Sequence, residues 1–153
     1  MSAKSIFVVH VMVTWYLVGL IWTVQVVHYN LFDRVGTDFF SRYEADHNRL
    51  ITPIVGPAML LELATAVVLL LHRPEGVPGW VLAFGLAMVL GIWLSTVFIQ
   101  VPCHARLMNG FDESIYRQLV STNWIRTVLW TSRGFLMGYF LMRLLADAQQ
   151  TPA

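Results

Sequence analysis

Charge is scarce in this chain. Of 153 residues, 12% are Asp, Glu, Lys or Arg, against about 25% in a typical soluble domain. With 57% hydrophobic residues and a mean hydropathy of +0.62, too little polar surface remains to cover a water-soluble globule of this size. That excludes a soluble enzyme and a disordered chain. Lys+Arg 10 against Asp+Glu 9 leaves a net charge of +1, so there is no basic surface for a nucleic acid. Cysteine is almost missing as well. Cys103 stands alone, which rules out an intramolecular disulfide and any CxxC or Cys/His zinc spacing, and it reads as a small buried filler. Repeats and low-complexity segments are absent. So is a signal-peptide cleavage site: the first apolar run, Ile6 to Val27, exceeds the core of about 7–15 residues such a peptide has and reads as a retained span.

What is present is long apolar runs. A bilayer core takes about 20 apolar residues per helix, and four stretches qualify, at about 6–29, 51–71, 80–101 and 119–145. In lipid the backbone must satisfy its own hydrogen bonds, and so small a sheet could not close its edges. The expected fold is all-α: one membrane domain over residues 1–153, an integral membrane four-helix bundle of antiparallel up-down topology. The Pro/Gly turn His72–Gly79 makes the second and third spans neighbours. Residues 31–50 and 105–118 carry most of the charges and suit amphipathic or water-exposed helical extensions. Asp112-Glu113-Ser114 after Gly110 reads as a helix start. The polar tail Ala146–Ala153 is expected to fray.

Antiparallel order puts Lys4, Arg73 and Arg143 at one end of the bundle. Arg34, Arg42, Arg49, Arg106, Arg117 and Arg126 fall at the other. Three against six places the second end, with segments 31–50 and 105–118, in the cytoplasm. The expected location is a bacterial inner membrane.

Ionisable groups inside a span cost about 2.5–3.5 kcal/mol on insertion scales, so each needs a reason. Glu62 and Arg133 lie at depths of roughly 16 and 21 Å from the cytoplasmic end at the rise of a helix, which suggests a midplane ion pair that fixes helix register or handles protons. His10, Thr14, Leu17, Ile21, Gln25 and His28 fall on one face of the first span. Trp93, Thr96, Gln100 and His104 do so on the third, and Asn123, Arg126, Trp130 and Arg133 on the fourth. Such faces belong inside the bundle.

At the cytoplasmic end His28 and His104 close the first and third spans, and Glu44-x-x-His47 precedes the second. Glu and His at i and i+3 share a helix face, as in bundles that hold metals between facing helices. His28, Glu44, His47 and His104 are therefore candidate metal ligands or acid–base groups. A hydrogen-bonded cap on the helix ends is the plain alternative. Asn123 and Arg126 are placed to orient an oxyanion or carboxylate. The six tryptophans, Trp80 and Trp124 near span ends among them, read mainly as packing and interfacial belt.

Two resemblances sit on these residues. Val101-Pro102-Cys103-His104-Ala105-Arg106-Leu107, with Asn123-Trp124-Ile125-Arg126-Thr127 opening the last span, resembles the anthrone-oxygenase-like family of small four-helix membrane proteins over the C-terminal third. That likeness implies oxygenase chemistry on an aromatic substrate, with His104, Asn123 and Arg126 as catalytic candidates. His104 stands where the family has Asn, a departure that favours a metal over cofactor-free chemistry. More distantly, Arg49-Leu50, Pro57-Ala58-Met59 and a first span with His10, Trp15, Gly19 and Leu20 resemble the haem-containing membrane protoporphyrinogen oxidases. This implies His10 as a haem ligand, although the family's Asn-Glu-x-Pro motif is absent.

The expected function is a membrane oxidoreductase acting on a hydrophobic, aromatic or quinone-like small molecule. A metal ion or haem is the possible cofactor, with His10 or His28 holding the macrocycle. The alternatives are a haem- or pigment-binding subunit, or a purely structural one, of a membrane complex, with a homo-oligomer as a further arrangement.

Overall fold

The computed structural model describes residues 2–150, and among these every regular element is helical. Four rods follow one another. The first is α1 (Ala3–Thr23), continued by a π turn at Val24–His28 and a 3-10 turn at Tyr29–Arg34. The second is α2 (Thr37–Leu71). The third joins α3 (Gly79–Ser95), a second π turn at Thr96–Gln100 and α4 (Val101–Leu107). The fourth is α5 (Glu113–Gln150).

The rods outrun the apolar stretches because caps and turns, not lipid-length runs, set their ends. α2 begins at Thr37 rather than 51, after Gly36, whose φ of 78° only glycine adopts without strain. α5 begins at Glu113, where the Asp112 carboxylate accepts from the amides of Ser114 at 2.9 Å and Ile115 at 3.1 Å. Those bonds, with one from the Ser114 hydroxyl, hold the Asp112 carboxyl below the usual carboxylate range. At the other end α5 runs on to Gln150, so the expected fraying from Ala146 does not start there; positions 151–153 lie outside the described residues.

Three rods, Ala3–Arg34, Thr37–Leu71 and Gly79–Leu107, are long and apolar enough to cross a membrane. The fourth was expected to span as well, but it falls outside that group among the described residues. Arg126, Arg133 and Arg143 lie along it and interrupt its apolar run.

The interior is layered. One apolar cluster, with Phe7, Val11, Leu69, Val81 and Met137, packs at the end holding the His72–Pro78 turn. A larger one, with Leu17, Phe32, Phe40, Ile92, Leu119 and Trp130, packs towards the opposite end. His10, Thr14, Glu62 and Arg133 form a polar layer between them, each at most 2% exposed. Outward positions are apolar instead: Met12, Phe84, Phe98, Val128 and Phe135 are all exposed. Polar groups inside and apolar groups outside invert the water-soluble pattern and suit a lipid solvent.

Candidate functional site

The polar layer is built around Glu62. Its Oε1 pairs with Arg133, and Thr14 Oγ1 lies 3.0 Å from the same oxygen. Its Oε2 accepts from Trp130 Nε1 at 2.9 Å. Arg133 spends its other donors on Gly85 O at 3.1 Å, on the Thr14 hydroxyl at 2.7 Å and on His10 Nε2. The sequence reading paired Glu62 with Arg133 but did not place His10 beside them.

The position of His10 bears on haem. The Thr65 hydroxyl has backbone acceptors at Leu61 O and Glu62 O, so at 2.6 Å His10 Nδ1 is the donor to Thr65. Nε2 then accepts from Arg133. Both ring nitrogens are engaged, and neither is free for the axial ligation expected of His10.

Towards the opposite end the expected histidine cluster assembles from three rods. The His104 Nδ1 hydrogen bond to Glu44 Oε1 is 2.5 Å, and the Tyr29 hydroxyl lies 2.9 Å from His104 Nε2. A carboxylate only accepts, so Nδ1 carries a proton towards Glu44, and Nε2 pairs with the Tyr29 hydroxyl. Glu44 is fully buried; Asn48 donates to its Oε1 at 3.1 Å, while its Oε2 meets no partner. His28 Nε2 and His47 Nδ1 are 2.7 Å apart, and the His47 and His104 rings lie 5.3 Å apart between centroids. The proposed ligands His28, Glu44, His47 and His104 are thus neighbours, joined to one another and to Tyr29 by hydrogen bonds, with Glu44 Oε2 left over. Among the described residues no group of three or more His, Cys, Asp and Glu is arranged to hold a metal ion. In this arrangement the four residues form the hydrogen-bonded cluster that was the plain alternative to a metal centre.

Both π turns lie beside this network. In each a backbone bond skips an extra residue, from Tyr29 N to Val24 O and from Val101 N to Thr96 O. Such bulges are concentrated at functional sites. One sets His28 and Tyr29, and the other sets Gln100 and, one turn on, His104.

A cavity of about 240 Å³ opens between the rods here. Its walls are chiefly apolar, with Leu17, Ile21, Val55 and Met59 among them, and its polar lining includes Tyr29, His47, Gln100, His104 and Arg126. Exposed Thr52 and Val101 line its edge. Pro53 and Pro57, which cannot donate backbone bonds, flank that wall of α2. A second groove, on the other side of His47, is lined by His28, Tyr43 and Asp46.

Arg126 reaches the cavity from α5. Its Nε and NH2 donate to Asn123 Oδ1 at 2.9 and 2.5 Å, and NH1 lies 3.3 Å from Thr96 Oγ1. Asn123 in turn donates to Gln25 Oε1 at 2.8 Å, and Gln25 to Val120 O at 3.2 Å. Trp130 connects the two polar zones, since it donates to Glu62 while its ring lies 5.9 Å from the Arg126 guanidinium carbon. Of the six tryptophans only Trp93 and Trp130 line the cavity. Tyr29 was missed by sequence reasoning. Its only sequence signal is its place directly after His28.

No protein-family model matches this chain, and no match is found among curated proteins or solved structures.

Proposed function

We propose that this chain is an integral membrane protein of antiparallel up-down helices, all four rods spanning, whose cavity takes a hydrophobic aromatic or quinone-like molecule from the lipid. His104 exchanges a proton with that molecule through the Tyr29 hydroxyl bonded to its Nε2, the acid–base part of an oxidoreductase reaction. One observation carries the reading: His104 lines a chiefly apolar cavity while buried Glu44 backs its Nδ1. A carboxylate behind an imidazole fixes its tautomer and stabilises the imidazolium. Histidine is the side chain suited to taking and returning a proton near neutral pH.

Tyr29 sits where it relays that proton, hydrogen-bonded to His104 and itself on the cavity wall. His47 lines both the cavity and the outer groove, and His28 lines the groove. The pair therefore marks a path by which protons reach the site. A quinone-like ring takes up protons with its electrons on reduction; this chain's residues handle the protons, and the electrons come from a separate redox partner. The charge bias favours the network's end as the cytoplasmic one, in a bacterial inner membrane, which is checked by reaction of Asn109→Cys, in a Cys103→Ala background, with an impermeant maleimide. Labelling of intact cells as strong as that of inverted vesicles contradicts the orientation.

The functional test is binding of menadione, a naphthoquinone, to purified protein in detergent, read by tryptophan quenching and by the rate at which the bound quinone is reduced by dithionite. Wild type binds, and Val55→Trp, which fills the cavity, does not. His104→Gln retains the fold but slows reduction by about 10²-fold or more, the usual contribution of a positioned acid–base group. Binding that survives Val55→Trp, or reduction indifferent to His104, defeats the reading.

A further inference from the structure

The buried charges do not balance locally. Glu62 neutralises Arg133, and Glu44 is hydrogen-bonded to His104. Arg126 is 7% exposed, yet among the described residues no carboxylate forms an ion pair with it. Its partners are the neutral oxygens of Asn123 and Thr96, with the Tyr29 hydroxyl beside it. An arginine held at this depth without a counter-ion is costly, because neither lipid nor apolar side chains replace its hydration. Structural arginines in bundles are neutralised, as Arg133 is. Arg126 instead lines the cavity.

Two further polar atoms on the same wall have no partner. Trp93 Nε1 is a buried donor without an acceptor, and Gln100 Oε1 is a buried acceptor without a donor on a residue 1% exposed. Buried polar atoms are normally satisfied, and an uncompensated cation on a chiefly apolar wall matches an anionic group on the ligand. The remaining lining is chiefly apolar, with Tyr29, His47, Asn48, Thr96 and His104 as further polar groups.

We infer that the cavity binds its ligand as an oxyanion, a carboxylate or ionised phenol on an apolar body, with Arg126 as the counter-ion that selects it. This rests on the proposed function for the site's location and deepens it by naming the ligand's charge. Asn123 positions the guanidinium, since two of its nitrogens converge on Asn123 Oδ1 and Asn123 is itself fixed by Gln25. The Trp130 ring, 5.9 Å from the guanidinium carbon, holds the cation from another side.

The experiment uses the full-length protein in detergent and two matched pairs of probes: 2-naphthoate with 2-naphthamide, and decanoate with decanamide. Affinities are measured by calorimetry in wild type, Arg126→Lys and Arg126→Gln, with thermal unfolding as the check on folding. A charge-assisted contact favours the acid over its amide by about tenfold or more in wild type. Arg126→Lys keeps part of that preference, and Arg126→Gln abolishes it while still binding the amide. A preference in the naphthyl pair alone assigns the ligand as an aromatic acid, and one in the decyl pair alone as an aliphatic acid; both support the inference. Equal affinity for acid and amide in wild type overturns it, as does a preference that survives Arg126→Gln. Should the amides and menadione bind without any acid preference, the cavity reading stands and only the anion inference fails. If no probe binds wild type, both fail.

Discussion

At the scale of single residues, scarcity of charge makes each buried ionisable group informative. The midplane pair was legible because Glu62 and Arg133 fall at similar depth in neighbouring apolar runs, and lipid leaves such groups few alternatives to each other. The contact of His10 with Arg133 was not legible, because one sequence carries no sign of whether an imidazole faces a cofactor or a guanidinium. The structure gives the Arg133 side chain to Glu62, Thr14, Gly85 and His10 together. Removing one partner strands the other, so Arg133→Leu and Glu62→Leu should each destabilise the protein by about 3–5 kcal/mol. The double variant, with no charge left uncompensated, should lose much less than the sum. Chemical denaturation of the four proteins in one detergent measures this. Additive losses would mean that the pair contributes no coupling.

Helical spacing was enough to place most inward residues at the scale of elements. His10, Thr14 and Gln25 on the first rod, and Asn123, Arg126, Trp130 and Arg133 on the fourth, are all buried as a regular stripe requires. What spacing could not reveal is the pair of π turns, since no side-chain pattern announces an extra residue in a backbone turn. They matter because each rotates the downstream part of its rod by most of a residue's turn, bringing His28 towards His47 and His104 towards Glu44 and Tyr29. Inserting an alanine after Val26 adds a residue that the first π turn does not absorb. The protein should still fold and bind menadione, but His28 and Tyr29 rotate away from their partners, and quinone reduction slows as in His104→Gln. Undiminished reduction by the insertion variant would show that the phase set by the bulge has no part in assembling the site.

For the whole molecule, composition alone announced a helical protein with an apolar exterior, and three rods have the length and apolarity to cross a membrane. The candidate site was legible as a cluster at one end because the histidines end spans or precede them. Its character was not. Network and metal centre use the same residue types, and only three-dimensional partners distinguish them. The cavity was invisible as well, because it is made by apolar residues of several rods that no local pattern links. The proposed occupant of this cavity is a hydrophobic molecule that enters from the lipid side. Photolabelling in membrane vesicles with a diazirine-bearing naphthoquinone, followed by peptide mapping, checks this. Label should fall on cavity residues between Ile51 and Met59 and between Trp93 and Val101, displaced by excess menadione. Label confined to outward-facing residues such as Phe84, Phe98 and Phe135, or label that menadione does not displace, would contradict it.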